Sequence, residues 1–147
     1  MPQDFRKIDR MKKFHREKVS ISEKFNPEQA EKLNFNLRKP KISLEFLTGD
    51  FCISKCQQRE KAEVLDTLHR LSQRTWQEIV QLGKSGIGYE QLGTYQLKCS
   101  IPQEAIFRNL DKVTVFHKAP RLPIVGFRFD DVFYVFCIDR SYSAYEH

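Results

Sequence analysis

Apolar and polar side chains alternate over residues 41–47, where Ile42, Leu44 and Phe46 are separated by Ser43 and Glu45. That two-residue period predicts a half-buried strand. Thr48-Gly49-Asp50 supplies a turn, after which residues 51–54 either form a second strand or lead into a helix. From residue 57 to about residue 82 the pattern lengthens: Val64, Leu65, Leu68, Leu71, Thr75, Trp76, Ile79 and Val80 recur at helical spacing, with no glycine or proline before Gly83. This predicts one long helix lying across a sheet, with Trp76 as a packing anchor and Ser72 or Thr75 as the place of any bend.

Residues 84–92, KSGIGYEQL, read as a loop, since the two glycines and the lysine lack phosphate-loop or dinucleotide spacing. Residues 95–99 alternate as a strand, Ile101-Pro102-Gln103-Glu104 opens a short helical turn through Phe107, and residues 113–117 are β-branched and aromatic, as strands are. Two further strands, Ile124–Phe129 and Val132–Ile138, flank Asp130-Asp131 and predict an antiparallel hairpin. The second, VFYVFCI, is apolar at nearly every position and belongs inside the sheet with both faces covered. At the other end of the chain, Phe5, Ile8, Met11 and Phe14 mark one apolar side of a basic helix, and Asn26-Pro27-Glu28 caps a shorter one. The reading is an α+β protein: a basic N-terminal helical extension over residues 1–40, then a single domain over residues 41–147 with a long helix packed on a mainly antiparallel sheet.

Composition narrows the partners more than the fold. The 147 residues carry a formal charge of +6, and residues 1–40 hold eleven Lys and Arg against six Asp and Glu, a net of +5. A basic arm of this kind favours polyanions, RNA among them, and Lys12, Lys13 and Arg16 are its candidate contacts. The four cysteines are scattered, the start does not resemble a signal peptide, and no apolar run approaches the length of a membrane span, so a reduced, cytoplasmic protein without a membrane partner is expected.

Cysteine and histidine spacing completes no four-ligand metal pattern, and no metal or cofactor is expected. Phosphodiester chemistry suits the C-terminal residues better. Cleaving RNA without a metal takes a base near the ribose hydroxyl, cations around the phosphate and an acid at the leaving oxygen. Arg121, Arg128 and Arg140 offer bidentate phosphate contacts, Lys84 and Lys118 further charge, and His117, Glu146 and His147 proton transfer. Tyr142 and Tyr145 offer stacking on an unpaired base. Each has a structural alternative: Arg140 beside Asp139 reads equally as a surface ion pair, His117 as a structural histidine at a strand end, and the two tyrosines as pins for the tail.

The order strand, long helix, loop, then a run of antiparallel strands closing on RLPIVGFRFDDVFYVFCIDRSYSAYEH resembles the RelE/ParE-like ribonuclease toxins over residues 41–147. The resemblance implies a small metal-independent endoribonuclease of toxin–antitoxin type, acting on RNA at the ribosome and restrained by an acidic antitoxin. It implies Arg121 or Arg128 as phosphate clamp, Tyr145 as stacking or hydrogen-bonding group and His147 as general acid. The alternative is a noncatalytic RNA- or protein-binding module using the same basic and aromatic residues. A third reading makes the tail a packing element of an oligomer.

Overall fold

Aromatic and β-branched runs in the second half of the chain build a five-stranded sheet. In this computed structural model residues 34–147 are described, and Arg38–His147 forms one compact unit. Most of the N-terminal extension, with both its expected helices, lies outside the described residues. The strands are β1 (Lys41–Ser43), β2 (Tyr89–Gly93), β3 (Lys112–Phe116), β4 (Ile124–Phe129) and β5 (Val132–Ile138), in the spatial order β1-β5-β4-β3-β2. Only β1 runs parallel to its neighbour β5; the other pairs are antiparallel. The expected hairpin is β4–β5, and its Asp130 takes a positive φ of 56° that lets two residues reverse the chain. β5 lies inside the sheet between β1 and β4, which accounts for its nearly unbroken apolar sequence.

Two helices, α1 (Gln58–Leu71) and α2 (Trp76–Leu82), cover one face of the sheet. Val64, Leu68, Leu71, Trp76 and Ile79 pack there on Phe116, Ile124, Phe133, Val135 and Ile138. The single long helix expected from the spacing is therefore broken. The Ser72 hydroxyl donates to the His69 carbonyl at 2.6 Å, and the extended Thr75 caps a new helix by accepting the Glu78 N–H at 3.2 Å. Both helices face the same sheet, so Leu71 and Trp76 are fully buried on either side of the break and the apolar rhythm runs through it.

Among the described residues the opposite face is covered by no α-helix. Val113, Val115, Val125, Phe136 and Cys137 are covered by Cys99 and Phe107 from the irregular segment after β2 and by Ala144 and Tyr145 from the C-terminal tail. The tail is thus part of a core. Three further expectations differ from the structure. β1 stops at Ser43, whose hydroxyl accepts the Glu45 N–H at 3.4 Å and turns the chain, leaving Leu44 45 % exposed. Residues 51–54 pass through 3-10 turns at Gly49–Phe51 and Ile53–Lys55. The strand expected at residues 95–99 is β2 instead, within the stretch read as a loop; it is an edge strand held by pairing with β3, so its polar sequence carries no alternation.

The cysteines are all free thiols. Cys56, Cys99 and Cys137 are buried, and the hydrogen bond with Cys99, then burial, push the Cys137 thiol far up, whereas hydrogen bonds from Ser54 lower that of the half-buried Cys52. A thiol reagent added to the native protein is expected to modify Cys52 at least ~10-fold faster than Cys137, since thiolate fraction and access set the rate. Peptide mapping after timed alkylation checks this, and equal labelling would contradict the burial described.

Candidate active site

Asp139 follows directly on β5 and is completely buried. Its carboxylate shapes the turn that sends the chain back over the sheet: Oδ1 accepts the Ser143 N–H at 2.9 Å and Oδ2 the Ala144 N–H at 3.1 Å. Tyr142 takes a positive φ of 55° in this turn. Short polar side chains flanking an aspartate are suited to such a reversal. Beyond it, the Lys98 N–H donates to the Ala144 carbonyl at 2.6 Å, which fastens the tail to the irregular segment. His147 then lies with Nε2 3.4 Å from Asp139 Oδ2.

His117 approaches from β3. Its backbone N–H donates to the Gly88 carbonyl at 3.0 Å, where Gly88 has a φ of +80°. A Cβ on Gly88 would come within 2.1 Å of the His117 carbonyl oxygen, so this close approach requires glycine. The C-terminal ends of β3 and β5, on either side of the start of β4, thereby bring four rings together. His117 and His147 have centroids 5.3 Å apart, Tyr142 lies 5.8 and 5.4 Å from them, and Tyr145 lies 4.1 Å from His147. Tyr142 forms the exposed rim and donates its hydroxyl to the Pro120 carbonyl at 3.3 Å. His117 Nε2 and the Tyr145 hydroxyl are buried without a hydrogen-bond partner among the described residues. Unused capacity of this kind is expensive in a purely structural cluster.

Burial, then the neighbouring His147, lower the His117 pKa, against opposing pulls from Glu90 and Asp139. The ring is therefore neutral near pH 7, a proton acceptor. Burial, then Glu90 and Asp139, push the Tyr145 phenol up, so it keeps its proton. With Nε2 directed at the Asp139 carboxylate, His147 has Nδ1 left for exchange with a substrate. Glu90, on β2, acts on both His117 and Tyr145 and is itself paired with Lys84 at 3.1 Å.

Of the residues singled out from the sequence, His117, Tyr142, Tyr145 and His147 come together, and the others do not join them. Arg128 is at the far end of β4, opposite Phe133, whereas Ile124 at the near end is opposite Ile138. Four residues of strand amount to roughly 13 Å. Its guanidinium lies 4.3 Å over the Trp76 ring and donates to the Asp130 carbonyl at 2.8 Å, so it is not brought beside His147. Arg121, in the β3–β4 loop, turns to Asp66 and Thr67 on α1. Arg140 is paired with Glu60 at 3.0 Å rather than with Asp139, pinning the turn to the start of α1. Glu146 is exposed and reaches Lys98 at 3.4 Å. The Lys118 ammonium donates to the Ser85 and Gly86 carbonyls, both at 3.0 Å. Lys12, Lys13 and Arg16 lie outside the described residues.

Asp139, Glu90 and Gly88 were given no role among the site residues expected from the sequence. The available signal for Asp139 was its position, a carboxylate directly after seven strand residues that must be buried. Among the described residues no group of three or more His, Cys, Asp or Glu is placed to hold a metal ion, and no helix is long and apolar enough to cross a membrane. No family model, curated protein or solved structure matches the chain.

Proposed function

We propose that the ring cluster is the active site of a metal-independent endoribonuclease. The observation that carries this is the facing pair of histidines, one neutral through burial and the other set against a buried carboxylate. Two titratable groups held in contrasting environments are what acid and base roles require. In this reading the neutral His117 imidazole removes the proton from a ribose 2′-hydroxyl, and the 2′-oxygen attacks the adjacent phosphorus. Protonated His147 gives the Nδ1 proton to the departing 5′-oxygen, while Asp139 keeps its ring oriented. The products are a 2′,3′-cyclic phosphate and a 5′-hydroxyl. Tyr142 stacks on an unpaired base at the rim.

The toxin role rests on a resemblance to RelE/ParE-like toxins, and the element order among the described residues, one strand, two helices and four consecutive antiparallel strands before a tail with a tyrosine and a histidine, is in keeping with it. Expression from a controlled promoter is then expected to arrest growth, and co-expression of a protein with an acidic segment that covers Tyr142 to relieve it.

The direct test is cleavage of a defined single-stranded RNA in EDTA. His117→Ala and His147→Ala should each lower kcat/KM by about 10²–10⁴-fold, the usual contribution of general acid–base catalysis. Arg128→Ala, at the other end of β4, should stay within about threefold of wild type once folded fractions are matched. RNA left equally intact by wild type and both histidine variants would refute catalysis; retained RNA affinity would then identify a binding module.

The pH profile follows from the same assignment. Protonated His117 cannot accept the 2′-proton, so kcat/KM falls as pH drops through the free-enzyme pKa of His117. That pKa is lowered, so the acid limb should have its midpoint below the ordinary histidine value of about 6.5. A midpoint above 6.5 would show that His117 is not the base.

A further inference from the structure

A second cleft lies on the other side of the loop that carries His117. Thr67 and Arg70 on α1, Ile87 before β2, and Phe116, Lys118, Arg121 and Leu122 around the end of β3 line it. Its enclosed space is about 10 Å³, no more than one water occupies, so it is a shallow surface depression and any ligand there would lie across it rather than inside it. Three cations converge there. Arg121 is paired with Asp66, but Lys118 is bonded to carbonyl groups and Arg70 forms no ion pair among the described residues. The cleft therefore carries excess positive charge over an apolar floor of Ile87, Phe116 and Leu122, where weak solvation strengthens attraction for an anion.

Its place relative to the histidines fixes which anion fits. Phe116 belongs to the helix-covered core, and His117, the next residue, turns to the ring cluster on the other face. The loop from His117 to Pro123 crosses the end of the sheet between the two, and its Pro120 carbonyl holds Tyr142. Arg121 is four residues from His117, so their Cα atoms are no more than about 14 Å apart.

We propose that Arg70, Lys118 and Arg121 form a subsite for the backbone phosphate of a neighbouring nucleotide, so that the RNA strand passes over the β3–β4 loop from the cleft to the rings. This rests on the ribonuclease reading of the ring cluster and adds to it a substrate requirement: single-stranded RNA long enough to reach both sites. Arg70 is the residue that the subsite adds to those expected from the sequence.

The test uses fluorescent, fully 2′-O-methylated oligonucleotides, which bind but lack the attacking hydroxyl. Arg70→Ala in the full chain should weaken binding of a hexanucleotide by about 5–10-fold at low salt, change binding of a dinucleotide less than twofold, and reduce the slope of log K against log[salt] by about 0.7, the value for one lost single-strand phosphate contact. Arg70→Lys should recover most of that slope. Equal losses for both lengths, or slopes identical to wild type, would overturn the subsite. The catalytic reading fails separately: length-dependent binding by the unmodified RNA without cleavage leaves the subsite standing and removes the nuclease.

Discussion

Trp76→Ala is expected to lower the stability of the protein by about 3–5 kcal/mol, the range for deleting a buried aromatic side chain. Trp76 is completely buried and meets Phe133 edge-on at 6.3 Å and Phe116 at 6.4 Å. Its indole N–H donates to the Asp131 carbonyl at 3.0 Å, and its backbone N–H to the Arg38 carbonyl at 3.0 Å. The same Asp131 carbonyl receives the Lys41 N–H at 2.9 Å, while the Asp131 carboxylate lies near Lys41 and Arg38. One ring therefore joins α2, the β4–β5 turn and the start of β1. Removing it leaves a cavity, takes one donor from the Asp131 carbonyl and strips Arg128 of the face on which it stacks. Trp76→Phe should recover roughly half of the loss, since most of the apolar volume returns without the N–H. Urea unfolding followed by circular dichroism measures both variants, and a loss below about 1 kcal/mol for the alanine variant would show that Trp76 does not carry this junction.

The same residue shows why the fold was only partly legible. Its burial could be read because helical spacing marks a sheet-facing position wherever the helix axis lies. The break before it was marked only as a bend at Ser72 or Thr75 within one helix, because four residues of turn return the chain to the same face with Leu71 and Trp76 both inside. The β4–β5 hairpin was legible since its strands are interior and its turn short. β2 was hidden because an edge strand such as YEQLG owes its conformation to β3, a partner more than twenty residues away. In the candidate site, the histidines and tyrosines stood out as polar groups after an apolar strand. Arg128 misled because alternation gives the face of a strand and says nothing about which end of the sheet a residue occupies. Its side chain does lie on the helix-covered face, one strand length from His147. Glu90 and Gly88 depend on pairing between β2 and β3, which no local pattern records.

Asp139→Ala should separate the fold from the chemistry most sharply, with stability falling by about 2–4 kcal/mol and RNA cleavage by at least ~10²-fold. The carboxylate accepts the Ser143 and Ala144 N–H groups, the latter buried, and faces His147. Alanine leaves both donors unpaired and the His147 ring without its anchor, so the turn opens and Tyr145 withdraws from the second core. Asp139→Asn retains the side-chain volume and one acceptor, and should recover much of the stability. It exchanges one carboxylate oxygen for an amide N–H₂ and removes the charge that faces His147, and the carbonyl oxygen that remains cannot serve both backbone donors and His147, so cleavage should remain low. Stability restored without activity would assign Asp139 to orienting His147 through its charge. Activity restored along with stability would make it a turn residue alone. His147→Ala supplies the reference, because it removes the proton donor while leaving the two backbone hydrogen bonds in place, and it should cost less than about 1 kcal/mol in a urea titration. If Asp139→Ala proves no less stable than His147→Ala, the buried carboxylate does not hold the tail, and the placement of His147 against His117 loses its physical basis.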